Sequence, residues 1–204
     1  MRYLIPLSCS LALLGMMPLV SSRANDATLQ AVAPTPQRYT LLGLSFETPI
    51  PFSTPTALGE NGVAVVYPPN SVPGEHELMV SLISLPKMSD VLGELSDQEL
   101  RSWLRFTEVD GPLSATPARI ERPFLGRRVR GELFYHRTPR PIHQELYLMR
   151  LQGGRRLAVI LEAEEHVPLP MMEQVFSHVA ATAQELSPRS REWKRSFEWW
   201  KIRP

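Results

Sequence analysis

The sequence predicts an α+β domain in which helices cover an antiparallel sheet. Short apolar runs of period two, each broken by turn residues, recur along the chain. Two segments switch to the helical period, one mid-chain and one near the end. Strands and helices do not alternate regularly, as a parallel βαβ sheet would require.

Composition fits a folded domain. The 204 residues are 43% hydrophobic and 21% charged, near ordinary globular values, and the length favours one domain. The 20 prolines are about double the usual share of roughly 5%. Many fall between apolar runs, at Pro49, Pro51, Pro55, Pro68, Pro69, Pro86, Pro139 and Pro141, which indicates rigid loops.

The elements follow in order. Arg2, a mainly apolar run over 4–20 and the small residues of Ser22-Arg23-Ala24 form the three parts of a secretory signal cleaved before Asn25. No arginine pair precedes the run, so the general secretory route is expected. Residues 25–37 read as a polar linker. Residues 39–47 read as one strand ended by Pro49 and Pro51, residues 63–67 as a second and residues 77–85 as a third. Ser96-Asp97-Gln98-Glu99 fits a capping box, in which the serine side chain and the glutamate satisfy each other's unpaired backbone donors. Leu100, Trp103, Leu104 and Thr107 then share one helical face. Period two returns at Ala118 and Ile120, which alternate with Arg119 and Glu121, and again over 128–133. Residues 143–151 and 155–162 read as a hairpin closed by Gln152-Gly153-Gly154. A last helix is expected over 168–186, with Met172, Val175, Phe176, Val179, Ala183 and Leu186 as its apolar stripe. The expected organisation is a signal peptide over 1–24, a linker over 25–37, a single domain over 38–186 and a tail over 187–204.

Charge and cysteine use narrow the function classes. Cys9 is the only cysteine, so a cleaved chain has no disulfide, no thiolate nucleophile and no Cys-type zinc site. The full chain carries +1; removal of Arg2 and Arg23 leaves 20 basic and 21 acidic side chains. That balance predicts no nucleic-acid partner.

No catalytic motif stands out. His76 lies between Glu75 and Glu77, His143 and Glu145 share a strand face, and Glu164, Glu165 and His166 are consecutive. None has the spacing of a zinc site, and no glycine-flanked nucleophile elbow or P-loop is present. Neither a cofactor nor a metal is expected. An enzyme built on His143 and Glu145, a secreted hydrolase or small-ligand-binding enzyme, is the alternative from another class.

Two surface features point to contact instead. Arg128 and Arg130 share a strand face, with Arg119, Arg122, Arg137, Arg150, Arg155 and Arg156 in neighbouring segments. They form a candidate patch for an acidic partner, because guanidinium forks suit carboxylates. The tail carries six basic residues and three of the four tryptophans. With Ser187 as cap, Trp193, Phe197 and Trp200 would line one helical face. Lys194, Arg195, Lys201 and Arg203 lie around it, and Trp199 is a further candidate contact residue, a pattern suited to an anionic membrane surface or a partner groove.

The chain resembles the PsbP-like superfamily, which includes extrinsic photosystem proteins and bacterial envelope proteins. The resemblance rests on Gly43-Leu44-Ser45-Phe46-Glu47-Thr48-Pro49, Gly126-Arg127-Arg128-Val129, Glu145-Leu146-Tyr147 and the stretch 173–176 in the last helix, and covers about residues 39–186. It implies an α/β/α sandwich and a non-enzymatic binding or assembly role, with no shared catalytic residues to carry over. The expectation is an exported accessory protein of the periplasm, thylakoid lumen or extracellular space. It would act through protein or membrane-surface contacts in assembly or maintenance of an envelope or photosynthetic complex.

Overall fold

The computed structural model describes residues 35–85, 118–136 and 141–198. The chain divides into a short unit, 1–32, and a main unit, 33–204, and every described residue lies in the main unit. The expected leader, most of the expected linker, the helix expected after Ser96, Arg137, and Trp199, Trp200, Lys201 and Arg203 lie outside the described residues.

The described elements are β1 (Gln37–Leu41), β2 (Leu44–Thr48), β3 (Thr56–Leu58), β4 (Gly62–Tyr67), β5 (Leu78–Leu85), β6 (Ala118–Phe124), β7 (Arg127–His136), β8 (Ile142–Arg150), β9 (Arg156–Glu164), α1 (Leu169–Thr182), β10 (Gln184–Glu185) and α2 (Arg191–Arg195). The fold is α+β with antiparallel sheets, as expected, and its helix cover is sparse among the described residues. Seven strands form one sheet in the order β3-β4-β5-β9-β8-β7-β6, and β1, β2 and β10 form a second of three.

The central position of β9 follows from its sequence. Leu157 to Leu161 are apolar without alternation and buried on both faces, which suits a strand covered on both sides. One face of the large sheet carries Val63, Val80, Val159, Leu161 and Tyr147. These join one core with Leu41 and Phe46 of the small sheet and Val175, Phe176 and Val179 of α1. The opposite face buries Phe134, Leu146 and Ile160 in one cluster and Ala64, Val66 and Met79 in another, neither containing a residue of α1 or α2.

Two local expectations are corrected. Residues 39–47 form two strands, not one, because Leu42 and Gly43 both take positive φ, at 49° and 81°. That pair of left-handed residues makes the tight turn whose twist suits an antiparallel hairpin. Leu125 and Gly126, at 55° and 70°, turn β6 into β7 in the same way. The last helix stops at Thr182 because Ala183 is extended and residues 184–185 pair with β2. The Thr182 hydroxyl accepts from the Glu47 backbone N–H at 2.9 Å and donates to the His178 carbonyl at 2.8 Å, tying the helix end to β2.

Candidate functional site

A polar cluster interrupts the apolar face beneath α1. Arg122 on β6 has the same strand parity as Ile120 and Phe124, so its side chain points into the core and is 9% exposed. All five of its N–H groups are used. Nε and Nη2 donate to the two oxygens of Glu145 at 2.6 and 2.8 Å. Nη1 and Nη2 donate to the two oxygens of Glu173 on α1, each at 2.8 Å, and Nη1 also donates to the Ser177 hydroxyl at 2.9 Å. The guanidinium lies 5.6 Å from the centre of the Phe176 ring.

Glu145 is saturated in turn. Its oxygens also accept from the Tyr147 hydroxyl at 2.7 Å and from His143 Nε2 at 3.2 Å. Burial alone would raise its carboxyl. The bonds from Arg122, with those from His143 and Tyr147, outweigh that and hold it at about 2. Burial likewise works to lower the Arg122 guanidinium, but its bonds to Glu145 and Glu173 raise it well above the ordinary value. The Tyr147 hydroxyl is pushed up by burial and by the Glu145 charge beside it. Glu173 is lowered, first by its bonds from Arg122. The imidazole of His143 sits between Tyr135 and Phe176, with ring centres 5.2 and 6.1 Å away. His143 and Glu145 thus come together as their spacing predicts, but around an arginine placed among surface residues in the sequence reading. A carboxylate fixed in its ionised form by a buried guanidinium has no proton to give and no free lone pair to take one.

Of the other histidine–carboxylate groups, His166 keeps a partner within its own run, while His76 reaches one on β9. His76 is buried and bonds Glu162 on β9 at 3.2 Å. The Gly74 backbone N–H donates to His76 Nδ1 at 3.0 Å, which places the ring proton on Nε2, facing Glu162. Gln144 holds the second Glu162 oxygen at 2.6 Å. His166 Nδ1 lies 3.0 Å from Glu164. Among the described residues no group of three or more His, Cys, Asp or Glu could hold a metal ion.

Arg128 and Arg130 do lie on one face of β7, with side chains 86% and 84% exposed. Both reach across to Glu121 on β6, at 3.8 and 3.1 Å. Arg122, expected near them, points to the opposite face.

The tail forms a helix as expected, but it starts later and turns inward. Its helix starts at Arg191, capped by Ser190 rather than Ser187: the Ser190 hydroxyl accepts from the Trp193 N–H at 2.9 Å. Trp193 and Phe197 share a face, with ring centres 4.8 Å apart. That face meets the domain itself. The Arg155 guanidinium lies 5.4 Å from the Trp193 ring and 5.1 Å from the Phe197 ring. The Leu42 N–H donates to the Ser196 carbonyl at 2.9 Å and the Gly43 N–H to the buried Ser196 hydroxyl at 2.7 Å. A Cβ at position 43 would collide with the Arg155 guanidinium and stand 3.1 Å from Trp193 Nε1. Lys194 and Arg195 remain exposed on the outer side of α2.

Comparison with known proteins adds little. No family model and no curated protein matches the chain. Among solved structures it is similar to a Bacteroides thetaiotaomicron protein determined at 1.50 Å, with a TM-score of 0.41 and 10% identity over 76% of this chain and 50% of that one. The chain spans half the length of that protein, and a likeness so distant carries no argument about function.

Proposed function

We propose that this chain is an exported, non-enzymatic accessory protein that works by surface contact, and that its contact is an anionic membrane surface. The observation that carries this reading is the docked tail. Arg155 holds Trp193 and Phe197 against the domain and leaves Lys194 and Arg195 exposed, a few residues before the sequence Trp199-Trp200-Lys201. Basic residues beside tryptophans favour the interface of an anionic bilayer. The saturated Glu145 carboxylate supports a non-enzymatic role. The PsbP-like resemblance supports a place in assembly or maintenance of an envelope or photosynthetic complex, in the periplasm, thylakoid lumen or extracellular space.

Sedimentation with phosphatidylglycerol-containing vesicles tests it. The chain from Asn25 onward should pellet at low salt and be released at high salt, because the attraction is screened within about 10 Å at 0.1 M salt. A chain ending at Glu198 keeps the docked helix and should pellet less. If neither pellets, the membrane reading fails, and the tail serves instead as bait for a protein partner.

A further inference from the structure

The large sheet sorts charge by end. β7 begins with Arg127 and Arg128, β8 finishes with Arg150, and β9 opens with Arg156. The antiparallel register brings these positions to one end of the sheet and sets Arg150 directly across from Arg156. Arg127 Nη2 donates to the Arg150 carbonyl at 3.3 Å, so β7 and β8 are joined there. The next turn closes where the Leu151 N–H meets the Arg155 carbonyl at 2.8 Å. Arg155 then carries α2, with Lys194 and Arg195 exposed on its outer side. The strand-end arginines and the tail are therefore neighbours on one surface with an excess of basic side chains, although Glu60 before β4, Glu185 at the Gln152 N–H, and Glu192 and Glu198 in the tail also lie there.

The other end of the same strands is acidic. Glu75 and Glu77 precede β5, while Glu164 ends β9 and Glu165 follows it. They are brought together by the Glu164 N–H donating to the Glu77 carbonyl at 2.9 Å and by the Glu165 N–H donating to the Pro141 carbonyl at 3.0 Å. Among the described residues the balance of charge is thus positive at one end of the strand axis and negative at the other, with Arg119 near the start of β6 as a counter-charge at the acidic end.

We infer that the bilayer-facing surface is this whole basic end, with the strands standing on an anionic membrane and the acidic end held away from it. The inference rests on the membrane reading above and assigns the sheet a part in it. Charge complementarity selects the occupant, and the acidic far end fixes the direction. A bilayer attracts each nearby cation roughly independently within a Debye length, so the arginines of Arg127 and Arg128 add to the tail.

The test is vesicle partitioning of three forms of the chain from Asn25 onward: unaltered, Arg127→Glu/Arg128→Glu, and Glu75→Lys/Glu165→Lys. Vesicles are phosphatidylglycerol-containing or purely phosphatidylcholine, and thermal unfolding confirms that each form is folded. The arginine reversal should weaken partitioning onto anionic vesicles about ten-fold or more. The glutamate reversal, at the far end, should leave it unchanged. If the arginine reversal binds like the unaltered chain, the sheet end is not the contact and this inference fails while the tail reading stands. If the two reversals shift binding by similar amounts in opposite directions, net charge alone governs attraction and the orientation is overturned. If the unaltered chain ignores anionic vesicles, both the inference and the reading beneath it fail.

Discussion

Arg122 and Arg155 are held in contrasting ways. Arg122 directs all five N–H groups at two carboxylates and a hydroxyl under α1. Arg155 lies against two aromatic rings, donates from Nη1 to the Leu42 carbonyl at 3.3 Å, and has a buried Nη2 that finds no acceptor among the described residues. Burial lowers the Arg155 guanidinium, with Glu185 opposing; at Arg122 the paired carboxylates override burial. The difference shows what each contact is suited to. A neutralised, fully bonded arginine ties β6, β8 and α1 into one unit that resists opening. A stacked arginine holds a short helix by packing and polarisation, which comes apart at smaller cost.

Breaking the Arg122 side should have the larger effect. Arg122→Met leaves Glu145 buried without its counter-ion, a change worth about 3–5 kcal/mol. At about 2–4 °C per kcal/mol for a domain of this size, calorimetry should record a fall of about 10 °C. Acid provides the next test. Glu145 is held at about 2, against an ordinary 4.5. A depressed carboxylate contributes stability that is fully present above the unfolded value and is lost as pH falls through the folded one. Urea unfolding should therefore lose about 3 kcal/mol from this group between pH 5 and 2. In Arg122→Met the sign should reverse over the upper part of that window, because protonation then relieves an unpaired buried charge. A pH slope unaltered by the substitution would separate Glu145 from Arg122.

The stacked side should yield less. Gly43→Ala adds a side chain at φ 81° where the Cβ meets Arg155, a strain of about 1–3 kcal/mol. Amide exchange at Leu42 and Gly43 should speed up as Ser196 undocks, while amides of β9 stay protected. Arg155→Met keeps bulk but removes the cation over both rings, a loss of about 0.5–2 kcal/mol, visible as faster proteolysis after Arg191 or Arg195. Glu173→Gln should be the mildest change, below about 1 kcal/mol, because this partner of Arg122 is 55% exposed.

Apolar runs bounded by turn residues made the extent of β4 and β5 and the β8–β9 hairpin readable in advance. Strand parity added the shared face of His143 and Glu145. The same parity marks Arg122 as inward, in step with Ile120 and Phe124. Its charge argued for the surface, and only its bonds to Glu145 and Glu173, 23 and 51 residues away, reverse that. The Leu42–Gly43 turn was hidden because leucine has no preference for positive φ, so residues 39–47 read as one strand. β3 and β10 are three and two residues long, too short for a periodic signal. In the tail, spacing rightly put Trp193 and Phe197 on one face. A stripe tells which residues share a face and not what that face meets, and Arg155, some 40 residues earlier, decided it.

The bond between Gly43 and Ser196 spans 153 residues. Ser196 follows every strand of the described residues in the sequence. Until that last helix docks, the Leu42 and Gly43 N–H groups of the β1–β2 turn have only water to bond. A chain cut just before α2 would leave this corner open, with the Leu42 and Gly43 N–H groups offered to any passing strand or chaperone.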